Sequence, residues 1–230
     1  MTINDDRRPT TDDRLLATNA TPQWSVVGGQ SSHEDLRQLV AARFALSTRV
    51  PEAFFAAEHA RIAEACWAMA RRFHAGGRLL AFGNGACATD AQHVSVEFVH
   101  PVIVGKRALP ALALTNDSAA LSGSRGGDGV DFARQIALLA RPQDMAIGFS
   151  PDGGCSNVCT ALHAAHSRGL LTLGLAGGDG GQFVEAGLDF CFVVPSRDPL
   201  AVQETHEILY HVLWELVHVF FEHEGLLDER

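Results

Sequence analysis

Leu79-Leu80-Ala81-Phe82-Gly83-Asn84-Gly85-Ala86-Cys87-Ala88-Thr89-Asp90-Ala91-Gln92-His93-Val94-Ser95-Val96-Glu97 reads as a strand, a tight loop and a helix. The apolar run is short and ends in a Gly-x-Gly turn, where glycine permits backbone angles closed to other residues and leaves amide groups uncovered. A turn of this kind can hold an anion against a helix N-terminus. His93 and Glu97 stand four residues apart in the helix that follows, so an imidazole and a carboxylate share one face. Such a pair can bind a metal or move a proton.

Outward from this stretch the chain alternates. Apolar runs at Arg78 to Phe82, Leu109 to Leu114, Met145 to Phe149, Leu170 to Leu175 and Phe190 to Val194 are rich enough to be strands buried on both faces. The stretches between them are long enough for helical crossovers, which implies a parallel sheet. The expected fold is therefore α/β: a three-layer sandwich around a five-stranded parallel sheet. Two helices precede the first strand, one from Ser32 to about Leu46 and one opened by Pro51 and ended by Gly76-Gly77. A long C-terminal helix runs from about Pro199 to His223 with more apolar surface than one face needs, which suggests packing against another subunit. Residues 1–30 mix Asp, Arg, Thr and Pro without periodicity and read as a flexible tail on a single domain over 31–230.

The chain has 230 residues, 47% hydrophobic and 20% charged, as expected of a globular domain with a substantial core. A formal net charge of −9, with only 18 Lys and Arg, argues against nucleic acid as a partner. The N-terminus is polar and no run of eighteen apolar residues occurs, so neither a signal peptide nor a membrane span is expected, and the compartment implied is the cytoplasm. Five cysteines at 66, 87, 155, 159 and 191 form no paired zinc-knuckle pattern and read as free thiols. Cys155 and Cys159 are four apart and either touch a common ligand or simply pack near a loop.

Two further loops follow strands. Ser150-Pro151-Asp152-Gly153-Gly154-Cys155-Ser156-Asn157 repeats the strand, glycine turn and helix pattern, and Thr115-Asn116-Asp117-Ser118 offers hydroxyl and carboxylate groups. Asp117 or Ser118 equally suits a helix cap. In folds of this kind ligands sit beyond the carboxyl ends of the strands, where these loops fall. The last helix carries Gln203, Glu204, His206, Glu207 and His211. Gln203 and His211 are separated by roughly 80° of rotation and about 12 Å of rise, so they line one elongated pocket more readily than they meet at one ion.

Taken together, Gly83-Asn84-Gly85, Asp90-Ala91-x-His93-x-x-x-Glu97, Thr115-Asn116-Asp117-Ser118 and Gln203-Glu204-x-His206-x-x-x-x-His211 resemble the sugar isomerase (SIS) family, and within it the phosphoheptose isomerases, over about residues 35 to 222. The resemblance implies a three-layer α/β homotetramer with active sites at subunit contacts, converting sedoheptulose 7-phosphate to a heptose 7-phosphate, in many cases with zinc. It implies Glu97 as general base and His211 as its acid partner, the pair an aldose–ketose isomerisation needs to pass through an enediol. It further implies His93, Glu97, Gln203 and His211 as zinc ligands. As substrate contacts it implies Asn84, Gly85, Cys87, Asn116, Asp117, Ser150, Asp152, Gly153, Cys155 and Gln203.

The sequence also departs from that family's pattern. Loop two usually reads Ser-Thr-Ser-Gly-x-Ser, whereas here it reads Ser150-Pro151-Asp152-Gly153-Gly154-Cys155. Cys87 stands where a phosphate-binding serine is usual, and Pro101 lies near the place of an arginine. A carboxylate about 4 Å from a phosphate is repelled by roughly 1 to 4 kcal/mol per charge pair. Three accounts follow: an isomerase for a different or unphosphorylated sugar, a loop whose Asp152 points away from phosphate, or a non-catalytic SIS module that binds a sugar or a protein. The retained glutamate and histidine favour an enzyme.

Overall fold

The structure, a computed structural model, describes residues 33–123, 130–223 and 225. The tail expected at 1–30 lies outside the described residues. The elements run α1 (His33–His74), β1 (Leu79–Gly83), α2 (Ala86–Val99), β2 (Ala111–Ala113), α3 (Ser118–Ser122), α4 (Phe132–Leu139), β3 (Met145–Phe149), α5 (Ser156–Ser167), β4 (Leu171–Gly177), a 3-10 turn (Gly181–Glu185), β5 (Phe190–Val194) and α6 (Pro199–Glu222).

All pairings in the sheet are parallel, in the order β2-β1-β3-β4-β5. Every residue of β1, β3 and β4 is buried, which is why these strands read as mainly apolar runs, interrupted only by Thr172 in β4. Alternate residues feed two cores. Leu79, Ala81, Met145, Ile147, Leu173 and Leu175 face α1, α2 and α6, whereas Leu80, Phe82, Ala146 and Ala176 face α4 and α5. The second face uses small residues to bring its helix close: a Cβ on Gly148 would lie 2.9 Å from side-chain atoms of Val158 and Leu162 in α5.

The two helices expected on either side of Pro51 are one continuous helix, α1. Proline in a helix interior removes one backbone hydrogen bond and crowds the preceding turn. Burial on both sides of it, by Val50, Phe54 and Ile62 against the sheet and α6, offsets that loss. Arg43 adds a second tie, donating at 2.8 Å to Asp198, the N-cap of α6, and at 2.8 Å to Glu204. Strand β2 is shorter than the expected run Leu109 to Leu114, as suits a strand at the sheet edge that begins after Pro110.

Candidate active site

The strand order places β1 beside β3, from which the chain departs toward opposite edges of the sheet. The loops after β1 and β3 therefore diverge and leave a crevice at the topological switch point. Both glycine loops singled out in the sequence lie there. In loop one, Gly85 precedes α2 with φ 57° and ψ −123°, a conformation that favours glycine. Asn84 bridges the crevice: its amide donates to Asn157 Oδ1 at 2.8 Å and accepts from Asn157 Nδ2 at 3.1 Å. Cys87 is buried beneath the turn, and burial above all, with the charges of Asp90, Cys155 and Asp152 after it, pushes its thiol up to about 12. Cys87 is thus a neutral thiol rather than a nucleophile.

Loop two starts at the fully buried Ser150. Its hydroxyl lies 3.4 Å from Asp152 Oδ1, and the Gly154 amide donates to the same oxygen at 2.8 Å. Gly153 takes φ +73°, and a Cβ there would come within 1.9 Å of the Gly180 carbonyl oxygen. The Gln182 amide donates to Gly153 O at 3.1 Å, so the loop is wedged against the turn that follows β4. Cys155 is half-buried at the N-cap of α5 and provides no side-chain cap. Asn116 and Asp117 are exposed beyond β2, and Asp117 Oδ1 accepts from the Ala119 amide at 3.0 Å, the capping arrangement the sequence had left open.

Beside the crevice, α2 and α6 run in the same direction and meet in step. Gln203 Nε2 donates to both carboxylate oxygens of Asp90 at 3.2 and 3.3 Å; about two turns further along α6 and one along α2, the Tyr210 hydroxyl lies 2.8 Å from His93 Nδ1; further on, Trp214 Nε1 donates to Glu97 O at 2.7 Å. This register gathers the chemistry. His93 Nε2 lies 3.3 Å from Glu97 Oε1 and 3.5 Å from His211 Nε2. Glu207 Oε1 lies 3.6 Å from His93 Nδ1, on the other edge of the ring. Tyr210 is fully buried, and its hydroxyl is pushed far up, by burial first and then by Asp90, Glu207 and Glu97. It therefore remains a neutral hydroxyl able to donate to or accept from Nδ1, which fixes the rotation of the His93 ring with Nε2 toward Glu97 and His211. Asp90 is raised to about 6, chiefly by burial and also by Glu207, against the opposing effects of Gln203 and His93.

The donor set suits a zinc ion. Glu97 approaches His93 Nε2 at 3.3 Å but is not part of the one set of three mutually close ligand atoms among the described residues, and imidazole with carboxylate is a donor combination that zinc accepts. His93, Glu207 and His211 offer those three ligand atoms, which all lie within 4.8 Å of one another. Glu207 thus joins the residues expected from sequence, while Gln203 turns its amide nitrogen to Asp90. His206, in the same motif, is buried behind the site with Nε2 3.3 Å from Ala176 O, and burial lowers it to about 4, so it stays neutral and apart from the cluster.

The structure brings His93, Glu97 and His211 into one cluster and Asn84, Cys87, Asp152 and Cys155 around one crevice, with Gln203 beside the start of α2. Sequence reasoning gave no role to Asn157, Glu207 or Tyr210. Their contacts span 73 to 117 residues, so no local spacing reports them.

A doubly wound sheet with imidazoles and carboxylates gathered between two helices on one face is the arrangement of an α/β protein with a small-molecule site. The model of the SIS domain family matches residues 44–177. The phosphoheptose isomerase of Solidesulfovibrio magneticus is 38% identical over 193 residues, spanning 82% of this chain and 93% of its own. That of Roseiflexus sp. is 42% identical over 147 residues, 63% of this chain and 74% of its own. Among solved structures, phosphoheptose isomerase GmhA from Neisseria gonorrhoeae superposes with a TM-score of 0.72 at 33% identity, covering 79% of this chain and 98% of that one. A phosphoheptose isomerase from Francisella tularensis gives a TM-score of 0.75 at 27% identity over 80% of this chain and 98% of that one. The chain belongs to the SIS family. Within it, the chain is an enzyme of the sugar-phosphate isomerase class.

Proposed function

We propose that this protein is an aldose–ketose isomerase of the phosphoheptose isomerase type, interconverting sedoheptulose 7-phosphate and a heptose 7-phosphate or acting on a closely related sugar. The observation that carries this reading is the cluster of His93, Glu97 and His211, whose ring and carboxylate atoms lie within 3.5 Å of His93 Nε2 beside a switch-point crevice. An open-chain sugar lying along the crevice presents its carbonyl end to α2 and α6. Glu97 takes the proton from the carbon next to the carbonyl, leaving an enediol, and returns a proton to the neighbouring carbon. His211 transfers a proton between the two oxygens, so that one carbonyl is consumed as the other forms. Asn84, Gly85, Asn116, Asp117, Ser150, Gly153, Cys155 and Gln203 line the path of the rest of the sugar.

Zinc would be held by His93 and His211 with Glu97 and the Gln203 carbonyl, or with Glu207. When bound it would polarise the sugar oxygens and stabilise negative charge on them. The reading extends to a homotetramer with sites at subunit contacts. Its support is apolar surface beside the site: Val96 and Val99 flank Glu97 on α2, Ile208 follows Glu207 on α6, and Leu36, Val40 and Phe44 line up along α1, all exposed in the single chain. Residues 31–230 make up the SIS domain in this reading, and residues 1–30 its tail. No helix among the described residues is long and apolar enough to cross a membrane, in keeping with a cytoplasmic enzyme. The test is to incubate the purified protein with sedoheptulose 7-phosphate and follow aldose formation by NMR. Turnover is expected, whereas binding of the sugar without turnover would make the chain a binding module.

A further inference from the structure

Loop two carries an anion of its own. Phosphate-binding loops work by aiming backbone amides and hydroxyls at a bound dianion. Here the Gly154 amide, at 2.8 Å, and the Ser150 hydroxyl, at 3.4 Å, are both directed at Asp152 Oδ1. The backbone on either side of the carboxylate is wedged. A Cβ on Gly177 would lie 2.6 Å from Pro151 O, one on Gly181 would lie 2.7 Å from Asp152 O, and Gly153 is held by the Gln182 amide. Loop one adds no free hydroxyl in compensation: its serine position is the buried Cys87, and Asn84 is engaged with Asn157.

We propose that Asp152 is a specificity-determining residue: a built-in anion that competes with the substrate's phosphate for the donors of loop two and shifts the preference of the site toward sugars that present hydroxyl groups there. A carboxylate accepts hydrogen bonds from sugar hydroxyls, whereas it repels a phosphate dianion. The proposal rests on the isomerase reading for its substrate and on the loop geometry for its mechanism.

The test compares the wild-type protein with Asp152→Asn and Asp152→Ser. Asparagine keeps an oxygen to accept from the Gly154 amide and removes the charge; serine restores a hydroxyl. Inorganic phosphate is titrated against each and followed by phosphorus NMR. KM is then measured for sedoheptulose 7-phosphate and, separately, for sedoheptulose. Both variants are expected to bind phosphate at least about tenfold more tightly than wild type, with a matching fall in KM for the phosphorylated sugar and none for the free sugar. Equal or weaker phosphate binding by Asp152→Asn, in a protein whose thermal unfolding is unchanged, overturns the proposal. If no form of the protein turns over either sugar, the isomerase reading fails, and the phosphate titration still decides the role of Asp152.

Discussion

The α2–α6 cluster and loop two are built on different plans. The cluster consists of side chains projected from two long helices that pack in step, each reactive group held by a second one: His93 by Tyr210, the Glu97 backbone by Trp214, Gln203 by Asp90. Loop two is mostly backbone, wedged by close contacts at Gly153, Gly177 and Gly181, with one carboxylate satisfying its nearest donors. Helix spacing sets which groups can exchange protons. In the proposed reading, the loop sets what the rest of the ligand must carry. The two can therefore diverge separately.

The comparison breaks first at Glu97. Glu97→Gln keeps the shape of the side chain and removes the proposed base, so kcat is expected to fall by roughly 10³-fold while the sugar still binds. Steady-state kinetics with a binding titration checks this, and a variant with wild-type kcat would move the chemistry elsewhere.

A contrast in stability comes next, at the opposite edge of the sheet. Asp144 is wholly buried just before β3 and accepts from Arg78 Nη2 at 2.7 Å and from the backbone amides of Arg78 and Arg141, each at 2.9 Å. Asp144→Ala leaves these donors unpaired and is expected to lower the unfolding free energy by about 3 kcal/mol, read by urea denaturation, with little change in activity per folded molecule. Burial pushes this carboxyl up, but the hydrogen bonds from Arg78 and Arg141 outweigh it and hold it below 3.8. Its folded value lies below its unfolded one, so its contribution is present above the unfolded value and is lost as pH falls through the folded value. The wild-type protein should lose stability on that acid limb, and Asp144→Ala should lose less of it.

Tyr210→Phe sharpens the account of the cluster. It frees the His93 ring to rotate, and kcat should drop about tenfold, together with a weaker affinity for added zinc measured by competition with a chelator. The smallest effect concerns the bridge between the loops. A double-mutant cycle of Asn84→Ala and Asn157→Ala should give a coupling of about 1 kcal/mol in stability, whereas additive losses would mean that the bridge contributes nothing.

Much of this arrangement was legible in the sequence because strands buried on both faces appear as plain apolar runs, and β3 and β5 match those runs end to end. Glycine turns marked both loops for a local reason, the backbone angles at Gly85 and Gly153. Pro51 misled, because a helix boundary signal is local while the packing that overrides it involves β4, β5 and α6. Glu207 looked like any charged helix residue, and only the register of α6 against α2 sets it beside His93. The identity of Asp152 was plain in sequence, but the direction of its carboxylate toward Ser150 and Gly154 was not.

The central claim, that Glu97 carries the proton between the two carbons, is tested most directly in heavy water. Sedoheptulose 7-phosphate is incubated with the wild-type protein and with Glu97→Gln, and deuterium at the carbons flanking the carbonyl is followed by NMR. A carboxylate that has taken a carbon-bound proton can exchange it with solvent before returning it. The account expects deuterium in the sugar with the wild-type protein and at least about a hundredfold slower incorporation with Glu97→Gln. Incorporation at the wild-type rate in the variant would contradict it.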